Sequence, residues 1–325
     1  MTLSRRSLLA IAGAPLLPGL SRAADAYPNR TIHWVVAYPA AGGSDFLARQ
    51  LAPQMAQQMG VSIVVDNRPG AAGIVGTEFA SHQPGDGYTI LTGDNGAMVF
   101  HTALYKSLPY APSDFVPLGL MASFPLILVV NPGSGFTSAR QWLDTVRASP
   151  GKYSYASPGA GSPHHLAMEL LKERSGSFVV HVPYRGTAPA MQDVMSGQVP
   201  MMVVDTAAGL AQIRSGKLRA LAVLSPRRIV QLPDVPSLSE LGGTLKGFDA
   251  VAWQGLFAPK GTPPEIARRL TAEMRKAILT PDVKSRLEAF GLDVTPTDGP
   301  QLAAFVQKEM SFWPKLIRDR HLTLD

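Results

Sequence analysis

A chain of 325 residues with 46 % hydrophobic and 17 % charged residues has the length of about two domains and an ordinary globular composition, which excludes a disordered protein. Cysteine is absent, and this excludes disulfides, thiol catalysis and cysteine-ligated zinc. The net charge of +6 arises without a run of lysines or arginines. Nucleic acid is therefore not an expected partner, whereas mild attraction of anions and plain solubility both agree with the charge.

The first 26 residues have the pattern of an export signal. Arg5 and Arg6 precede an apolar stretch, Leu8 to Leu20, which is too short for a permanent bilayer span, and a small-residue cleavage site follows at Ala24 to Ala26. Glycines and prolines within the stretch argue against a buried intracellular helix. The arginine pair favours the twin-arginine route, although general secretory signals also contain adjacent arginines. We therefore expect a periplasmic protein that is cleaved near Ala26.

From Thr31 onward, short β-branched runs alternate with amphipathic stretches, which predicts an α/β fold of parallel strands covered by helices. A strand over residues 32–38 ends in a small-residue loop, and strands at 63–65 and 89–91 complete a first βαβαβ unit. The first helix repeats apolar residues every four positions, which places them in the core. These residues are Leu47, Leu51, Met55 and Met59.

A second unit repeats this outline. Its strand at residues 153–156 leads through a loop of small residues into a helix with Leu166, Leu170 and Leu171 on one side. The remaining strands are predicted at 126–130, 179–182, 201–204, 220–224 and 251–257. Helices at 264–279, 282–290 and 301–318 are expected to rejoin the first unit.

Two loops, residues 39–45 and 157–163, connect a strand to a helix and contain glycine. At such a position the first amides of the helix and its dipole attract anions, and glycine lets a ligand approach the backbone. Two lobes that face each other could thus present both loops to one carboxylate. In open α/β sheets, ligand sites generally lie at the carboxyl ends of the strands. Alternatively, Gly42 and Gly43 make only a tight turn, with Ser44 or Asp45 as a helix cap.

Catalytic signatures are scarce in the sequence. It contains no G-x-S-x-G, Walker, G-x-G-x-x-G or H-E-x-x-H motif. His164 and His165 are adjacent, so on a helix they point about 100° apart and do not share a metal easily, and one of them is expected at the surface or in the cleft. Asp205 and Thr206 end a strand and could bond a ligand amine or hydroxyl, or serve as a turn or cap. Trp253 is expected in core or hinge packing.

An ordered series of motifs along the chain resembles the tripartite tricarboxylate transporter substrate-binding proteins, the Bordetella uptake gene (Bug) receptor family. The similarity runs from about Tyr27 to the C-terminus. The motifs that support it are residues 27–28, 39–45, 66–71 with Gly73, 86–89, 104–106, 108–110, 181–186, 216–222, 232–236 and 258–263.

The resemblance implies a two-lobed periplasmic binding protein of the Venus-flytrap type II, with parallel-rich sheets, helices and two crossover segments. Lobe 1 would comprise residues 27–125 and 251–325, and lobe 2 residues 126–250. The crossings are expected near Pro125 to Val130 and Phe248 to Trp253. Such receptors have no cofactor and no metal.

The resemblance also implies where the ligand lies. Backbone amides and bridging waters of two loops would hold a carboxylate, an aromatic residue would lie against it, and a variable segment would contact its distal end. The corresponding residues are Ala40, Ala41, Gly42, Gly43 and Ser44 in the first loop, Ser157, Gly159, Ala160, Gly161 and Ser162 in the second, Tyr38 as the aromatic, and Asp205 and Thr206 distally. Two departures from the family pattern, Ala40-Ala41 and the flanking Pro158 and Pro163, could narrow the pocket.

These observations predict a monomeric solute receptor, not an enzyme. It would bind a di-, tri-, amino or aromatic carboxylate and deliver it to the large and small integral subunits of a transporter. An orphan sensor for a signalling partner is an alternative. A periplasmic enzyme acting on a carboxylate is another, and it would need an acid–base pair such as Asp205 with His164 or His165. A third alternative, an interaction protein without ligand, would have a cleft filled by side chains.

Overall fold

The computed structural model describes residues 27–40 and 42–324. The predicted export signal, the loop residue Ala41 and the last residue, Asp325, lie outside the described residues. The strands are β1 (Ile32–Val36), β2 (Ile63–Asn67), β3 (Thr89–Asp94), β4 (Phe115–Val130), β5 (Ser154–Ser157), β6 (Val180–Pro183), β7 (Met201–Asp205), β8 (Arg219–Val223) and β9 (Val251–Pro259). The α-helices are α1 (Gly43–Met59), α2 (Ile74–Ser81), α3 (His101–Leu104), α4 (Ala139–Ala148), α5 (Pro163–Ser175), α6 (Thr187–Met195), α7 (Thr206–Arg214), α8 (Pro264–Leu279), α9 (Pro281–Ala289) and α10 (Gly299–Asp319).

Two sheets of the same design form the two lobes. In one, the order is β2-β1-β3-β9-β4, and in the other it is β6-β5-β7-β4-β8. In each sheet the central early strand, β1 or β5, has two parallel neighbours, while β4 pairs antiparallel with its partners. The repeated unit that the sequence predicts is therefore present, and each parallel strand end leads directly toward a helix N-terminus.

Strand β4 belongs to both sheets. Its residues Phe115 to Pro125 pair with β9, and its residues Leu126 to Val130 pair with β7 and β8. The return path lies beside it, since Pro125 is paired with Val251 and the amide of Ala250 donates to Leu224 O at 2.8 Å. The two lobes are thus joined by neighbouring segments of backbone.

The sequence prediction of β4 was wrong at its start, because only residues 126–130 were expected as a strand. The first half contains Pro117 and Gly119, which normally interrupt a strand. The structure accommodates them with two register shifts against β9, between Pro117 and Gly119 and between Leu120 and Ala122. Such bulges let a strand continue past residues that cannot follow a regular ladder.

The apolar spacing of the helices correctly predicted which residues lie in the core. Leu47, Leu51 and Met55 on α1 have no exposed surface, and Met59 is 8 % exposed. They pack with residues of α8 and α9 such as Leu270 and Leu287. Trp253 is buried and contacts Phe305 edge-to-face, so it serves packing where β9 begins. Within the described residues, none of the helices is both long and apolar enough to cross a bilayer.

We expect Leu128→Ala to destabilise the fold by about 2–5 kcal/mol, since Leu128 is fully buried on β4 between Val203 and Ala222 and its loss leaves a cavity. The measurement is the free energy of unfolding in urea. Val64→Ala on the edge strand β2, where Val64 is 47 % exposed, is the control and should change this free energy by less than about 0.5 kcal/mol. Equal effects of the two substitutions would contradict the central place of β4.

Candidate functional site

The carboxyl ends of four strands converge where the lobes touch. In lobe 2, Gly161 follows β5 and lies against the side chains of Leu104 and Leu324 of lobe 1, so closely that an added Cβ would lie 2.8 Å from each. Thr206 follows β7, and its hydroxyl donates to the carbonyl of Gly291. The ends of β5 and β7 are therefore turned toward lobe 1, in which β1 and β3 end.

The first loop leads from β1 into α1 and ends in a cap without a side chain. The N-cap residue is Gly42, whose backbone is extended at φ −82°. Helices α5 and α7 differ, because Ser162 and Asp205 accept hydrogen bonds from the amides of His165 and Ala208. Gly42 therefore offers no side-chain oxygen to the first turn of α1, and a helix N-terminus of this kind attracts anions through its backbone and its dipole. The alternative, with Ser44 or Asp45 as the cap, is not found.

The polar residues of the first turn of α1 have other partners. Gln254 on β9 donates from Nε2 to the hydroxyl of Ser44, and both residues are buried. Asp45 accepts from Arg49 at 2.8 Å, and Arg49 also bonds Asn67 of β2. A carboxylate in the first turn stabilises a helix by its interaction with the dipole. These contacts fix the start of α1 against the sheet.

Tyr38 and Asp94 lie side by side at the ends of β1 and β3. Burial, together with the neighbouring Asp94, raises the pKa of Tyr38 well above its usual value. Burial also raises the pKa of Asp94, against the opposing effect of hydrogen bonds from Tyr38 and from the amides of Ala97 and Gly96. The Asp94 carboxylate accepts the Ala97 amide at 2.9 Å. An acidic group and a phenol thus lie next to the first loop.

The second loop bonds mainly to itself and to two histidines. The amide of Gly159 donates to Ser157 Oγ at 3.2 Å, and the hydroxyl of Ser162 donates to the Gly159 carbonyl at 2.7 Å. The Gly161 amide donates to His165 Nδ1 at 3.1 Å, and Ser157 Oγ lies 2.6 Å from His181 Nε2. The amide of Ser162 also donates to the Gly159 carbonyl, at 3.3 Å, so three amides of the second loop already have protein partners and the two loops are not equivalent.

His165 and His181 stack with 4.0 Å between ring centroids. Burial lowers the pKa of His165 to about 3 and that of His181 to about 4. Both rings are therefore neutral near pH 7, which agrees with His165 Nδ1 acting as an acceptor. Neither His164 nor His165 lies at the surface, since their exposed fractions are 8 % and 5 %.

Asp205 and Thr206 are engaged within the protein. Asp205 caps α7 through one oxygen, and its other oxygen lies 3.2 Å from His164 Nε2. Although burial raises the pKa of Asp205, the hydrogen bonds from His164 and the Ala208 amide bring it below its usual value. A carboxylate only accepts, so His164 Nε2 carries a proton, and His164 Nδ1 is buried without a partner. Thr206 is fully buried.

Of the predicted site residues that the structure describes, those of the two loops, Tyr38 and Asp205 lie near the junction of the lobes, beside three residues that the sequence analysis missed. Asp94 could have been found, since it ends a strand as the two loops do. Gln254 gave no signal beyond a polar residue on an apolar strand, and His181 was noted only as the first residue of the motif at 181–186. A groove of about 600 Å³ beside Pro125, Arg214 and Val294 contains none of the predicted site residues. In the part of the chain that the structure describes, no three His, Asp or Glu residues are grouped as metal ligands.

Comparison with known proteins identifies the family. Residues 47–322 match the model of the tripartite tricarboxylate transporter family receptor. The chain belongs to this family. A protein of Pseudomonas sp. strain P51, described as a UPF0065 protein in the tcbD-tcbE intergenic region, is 40 % identical over 98 % of this chain and 96 % of its own length.

Solved structures of family members have the same two-lobed fold. The periplasmic binding protein BugD is 33 % identical, with a TM-score of 0.79 over 91 % of this chain and 99 % of its own. Two proteins of Rhodopseudomonas palustris hold a dicarboxylate. Rpa4515 with adipate is 29 % identical, with a TM-score of 0.81 over 90 % of this chain and 97 % of its own. MatC with bound malate is 31 % identical, with a TM-score of 0.77 over 90 % of this chain and 100 % of its own. Receptors of this family are periplasmic, and the family binds carboxylates.

The neutral histidine stack predicts a loss of stability in acid. The pKa of His165 is about 3 in the folded chain and 6.5 when unperturbed, so the unfolded chain binds more protons between these values. Stability should therefore fall as the pH is lowered below about 6.5, by about 1.4 kcal/mol per pH unit for His165 alone. Urea unfolding between pH 7 and 4 should show a shallower decline for His165→Asn than for the wild type. His33→Asn, at an exposed position of β1, is the control and should follow the wild-type curve of stability against pH. If the His165→Asn curve runs parallel to the wild-type curve, the lowered pKa of His165 is contradicted.

Proposed function

We propose that the protein is a periplasmic receptor that binds a small carboxylate between its lobes and delivers it to a transporter of the tripartite tricarboxylate type. The observation that carries this proposal is the N-terminus of α1, which is capped by Gly42 and lies where the lobes meet. Helix amides and the helix dipole stabilise a carboxylate there without a charged side chain. Residues 38–45 and 157–163 contain no lysine or arginine.

The ligand-binding residues that we propose are those of the two loops, Tyr38, and Asp205 with Thr206. The first loop would supply the main amide contacts. Ala160 in the second loop would add to them, whereas Gly159 and Gly161 would shape that loop through their bonds to Ser157 and His165. Asp205 would act on the distal end of the ligand through His164, whose Nδ1 has no protein partner.

The ligand class follows from the family and from the chemistry of the junction. Malate is bound by MatC and adipate by Rpa4515, and both are dicarboxylates. We propose a di-, tri-, amino or aromatic carboxylate for this chain, with one carboxylate at the α1 N-terminus. We also propose that the lobes divide at residues 125/126 and 250/251, where β4 exchanges β9 for β7 and β8.

An enzyme acting on a carboxylate is the second candidate function, because Asp205 and His164 form an acid–base pair at the junction. A receptor is favoured, since the Asp205 carboxylate also caps α7 and the family consists of substrate-binding receptors. Turnover of a bound carboxylate by the purified chain, detected by chromatography, would overturn this preference.

The test is a thermal-shift screen of residues 27–325 against di-, tri-, amino and aromatic carboxylates, with malate and adipate included. A ligand at about 100 times its Kd stabilises by about 2.7 kcal/mol, which raises Tm by a few degrees. Gly42→Val should abolish this rise, because its side chain would enter the space in front of the α1 amides. The backbone tolerates it, since φ is −82° and an added Cβ lies 3.5 Å from its nearest neighbour, Pro39 O.

Ala272→Val, at an exposed position of α8, is the matched control and should leave the rise in Tm intact. Gly161→Val is unsuited as a test of the second loop, because φ of Gly161 is +76° and the added atoms would strike Leu104 and Leu324. A rise in Tm that persists in Gly42→Val would remove the first loop from the site. A wild-type chain that responds to no carboxylate, and from which mass spectrometry detects no copurified carboxylate, would overturn the function.

We also propose that the chain is exported by the twin-arginine route and cleaved near Ala26. The full-length protein, expressed in a Gram-negative host, should then appear in the periplasmic fraction with an intact mass that begins at or near Tyr27. Arg5→Lys combined with Arg6→Lys should retain it in the cytoplasm, since that route requires the arginine pair. Unchanged export of the double variant would assign the signal to the general secretory route instead.

A further inference from the structure

A buried carboxylate, Glu169 on α5, lies behind the second loop at the centre of a polar cluster. The side chain of Glu169 is 4 % exposed and accepts from Tyr155 at 2.9 Å and from Lys172. Burial raises the pKa of Glu169, but the hydrogen bonds and charges of Lys172, Tyr155 and Arg320 outweigh it and keep the pKa below its usual value. Glu169 is therefore ionised and held by three donors.

Arg320 reaches this cluster from the other lobe. It follows α10, and its Nε and Nη2 donate to Glu169 Oε2 at 3.2 and 3.0 Å, while Lys172 and Tyr155 occupy Oε1. The two residues are 151 positions apart in sequence. Since α10 packs on β4 and on residues 96–104 of lobe 1, this ion pair links lobe 1 to α5 of lobe 2.

The segment after Arg320 continues along α5 toward the second loop. The amide of Leu324 donates to the carbonyl of Leu104 at 3.0 Å, which fixes the segment to lobe 1. The side chains of Leu324 and Leu104 then cover Gly161. A residue with a Cβ at position 161 would not permit this contact. Residues 320–324 thus touch lobe 2 at two points, Glu169 and Gly161.

Glu169 and Gly161 are also connected within lobe 2. His165 accepts the Gly161 amide at Nδ1, and its Nε2 lies 3.9 Å from Glu169 Oε1. The ring is held by its stack on His181, which in turn contacts Ser157 at the start of the loop. The shape of residues 157–162 therefore depends on the position of His165, one turn away from Glu169 on α5.

We propose that Glu169 and Arg320 are positioning residues of the ligand site, through which the C-terminal residues 320–324 hold the second loop in its binding shape. The inference deepens the proposed receptor function and rests on it for its consequence, since neither residue touches the ligand. When the lobes separate, the Glu169–Arg320 pair and the Leu324–Gly161 contact must break, so both favour the closed, ligand-holding state.

The test is hydrogen–deuterium exchange of residues 27–325, followed by mass spectrometry. Arg320→Gln removes the charge from an arginine side chain that is 30 % exposed, so that the fold should persist. Amides of residues 157–166 should exchange about tenfold faster than in the wild type, because a hydrogen bond to a charged group is lost. Leu324→Ala should accelerate the same amides without any change of charge. Amides of residues 126–130 in β4 should keep their wild-type rates.

Arg320→Lys keeps the positive charge, so amides of residues 157–166 should exchange more slowly than in Arg320→Gln. A purely steric role of the arginine would not explain this difference. Lys284→Gln is the matched control, since it removes an exposed ion pair with Glu288 of 3.7 Å on α9, and it should leave residues 157–166 unchanged. The proposal is overturned if residues 157–166 exchange at the wild-type rate in Arg320→Gln. Equal acceleration in β4 would overturn it as well, because the pair would then contribute only to global stability.

Binding measurements separate this inference from the proposed function. With malate and adipate as probes in titration calorimetry and stopped-flow experiments, Arg320→Gln should raise Kd about tenfold through faster dissociation, whereas Lys284→Gln should not. An unchanged Kd together with a mobile loop would overturn the positioning role. A wild-type chain that binds neither probe nor any other carboxylate counts against the receptor function, while the exchange rates still decide whether Arg320 orders the loop.

Discussion

The structure depends on one strand that takes part in two sheets. Strand β4 carries 16 residues and exchanges its partners between Pro125 and Leu126. In each sheet β4 has antiparallel partners, and the parallel strands lie beyond them. This pairing places the carboxyl ends of the parallel strands at the exchange point of β4, facing the other lobe. The helix N-termini that follow those strands are thereby placed at the junction. Neither lobe could present its loop in this way without the shared strand.

In the proposed function, oriented backbone rather than cationic side chains recognises the carboxylate. The start of α1 is held by Gln254 and Asn67 through Ser44 and Arg49, while its cap, Gly42, has no side chain that could bond the first-turn amides. The second loop differs, since its amides are used to define its own shape. In that proposal, the first loop attracts the charge of the ligand and the second loop closes over it. This division is consistent with a binding protein that must release its ligand.

Much of the fold could be predicted from sequence, because periodicity is a local property. The limits of α8 and the buried stripe of α1 follow from apolar spacing alone. The first half of β4 could not be predicted, since Pro117 and Gly119 disguise it and only pairing with β9 makes it a strand. The glycine loops were recognisable, but the commitment of the Gly161 amide to His165 and the contact of Arg320 with Glu169 depend on residues brought together by tertiary structure.

The adjacency of the two backbone connections restricts how the lobes can move. Pro125 is paired with Val251, and Ala250 is bonded to Leu224, so the connections form a narrow ribbon rather than two separate tethers. A ribbon of adjacent strands bends and twists easily across its width but resists shear along its hydrogen bonds. For the proposed receptor, we therefore expect opening to be close to rotation about a single axis. One well-chosen distance across the junction, reported by a pair of fluorescent labels, would follow the whole conformational cycle.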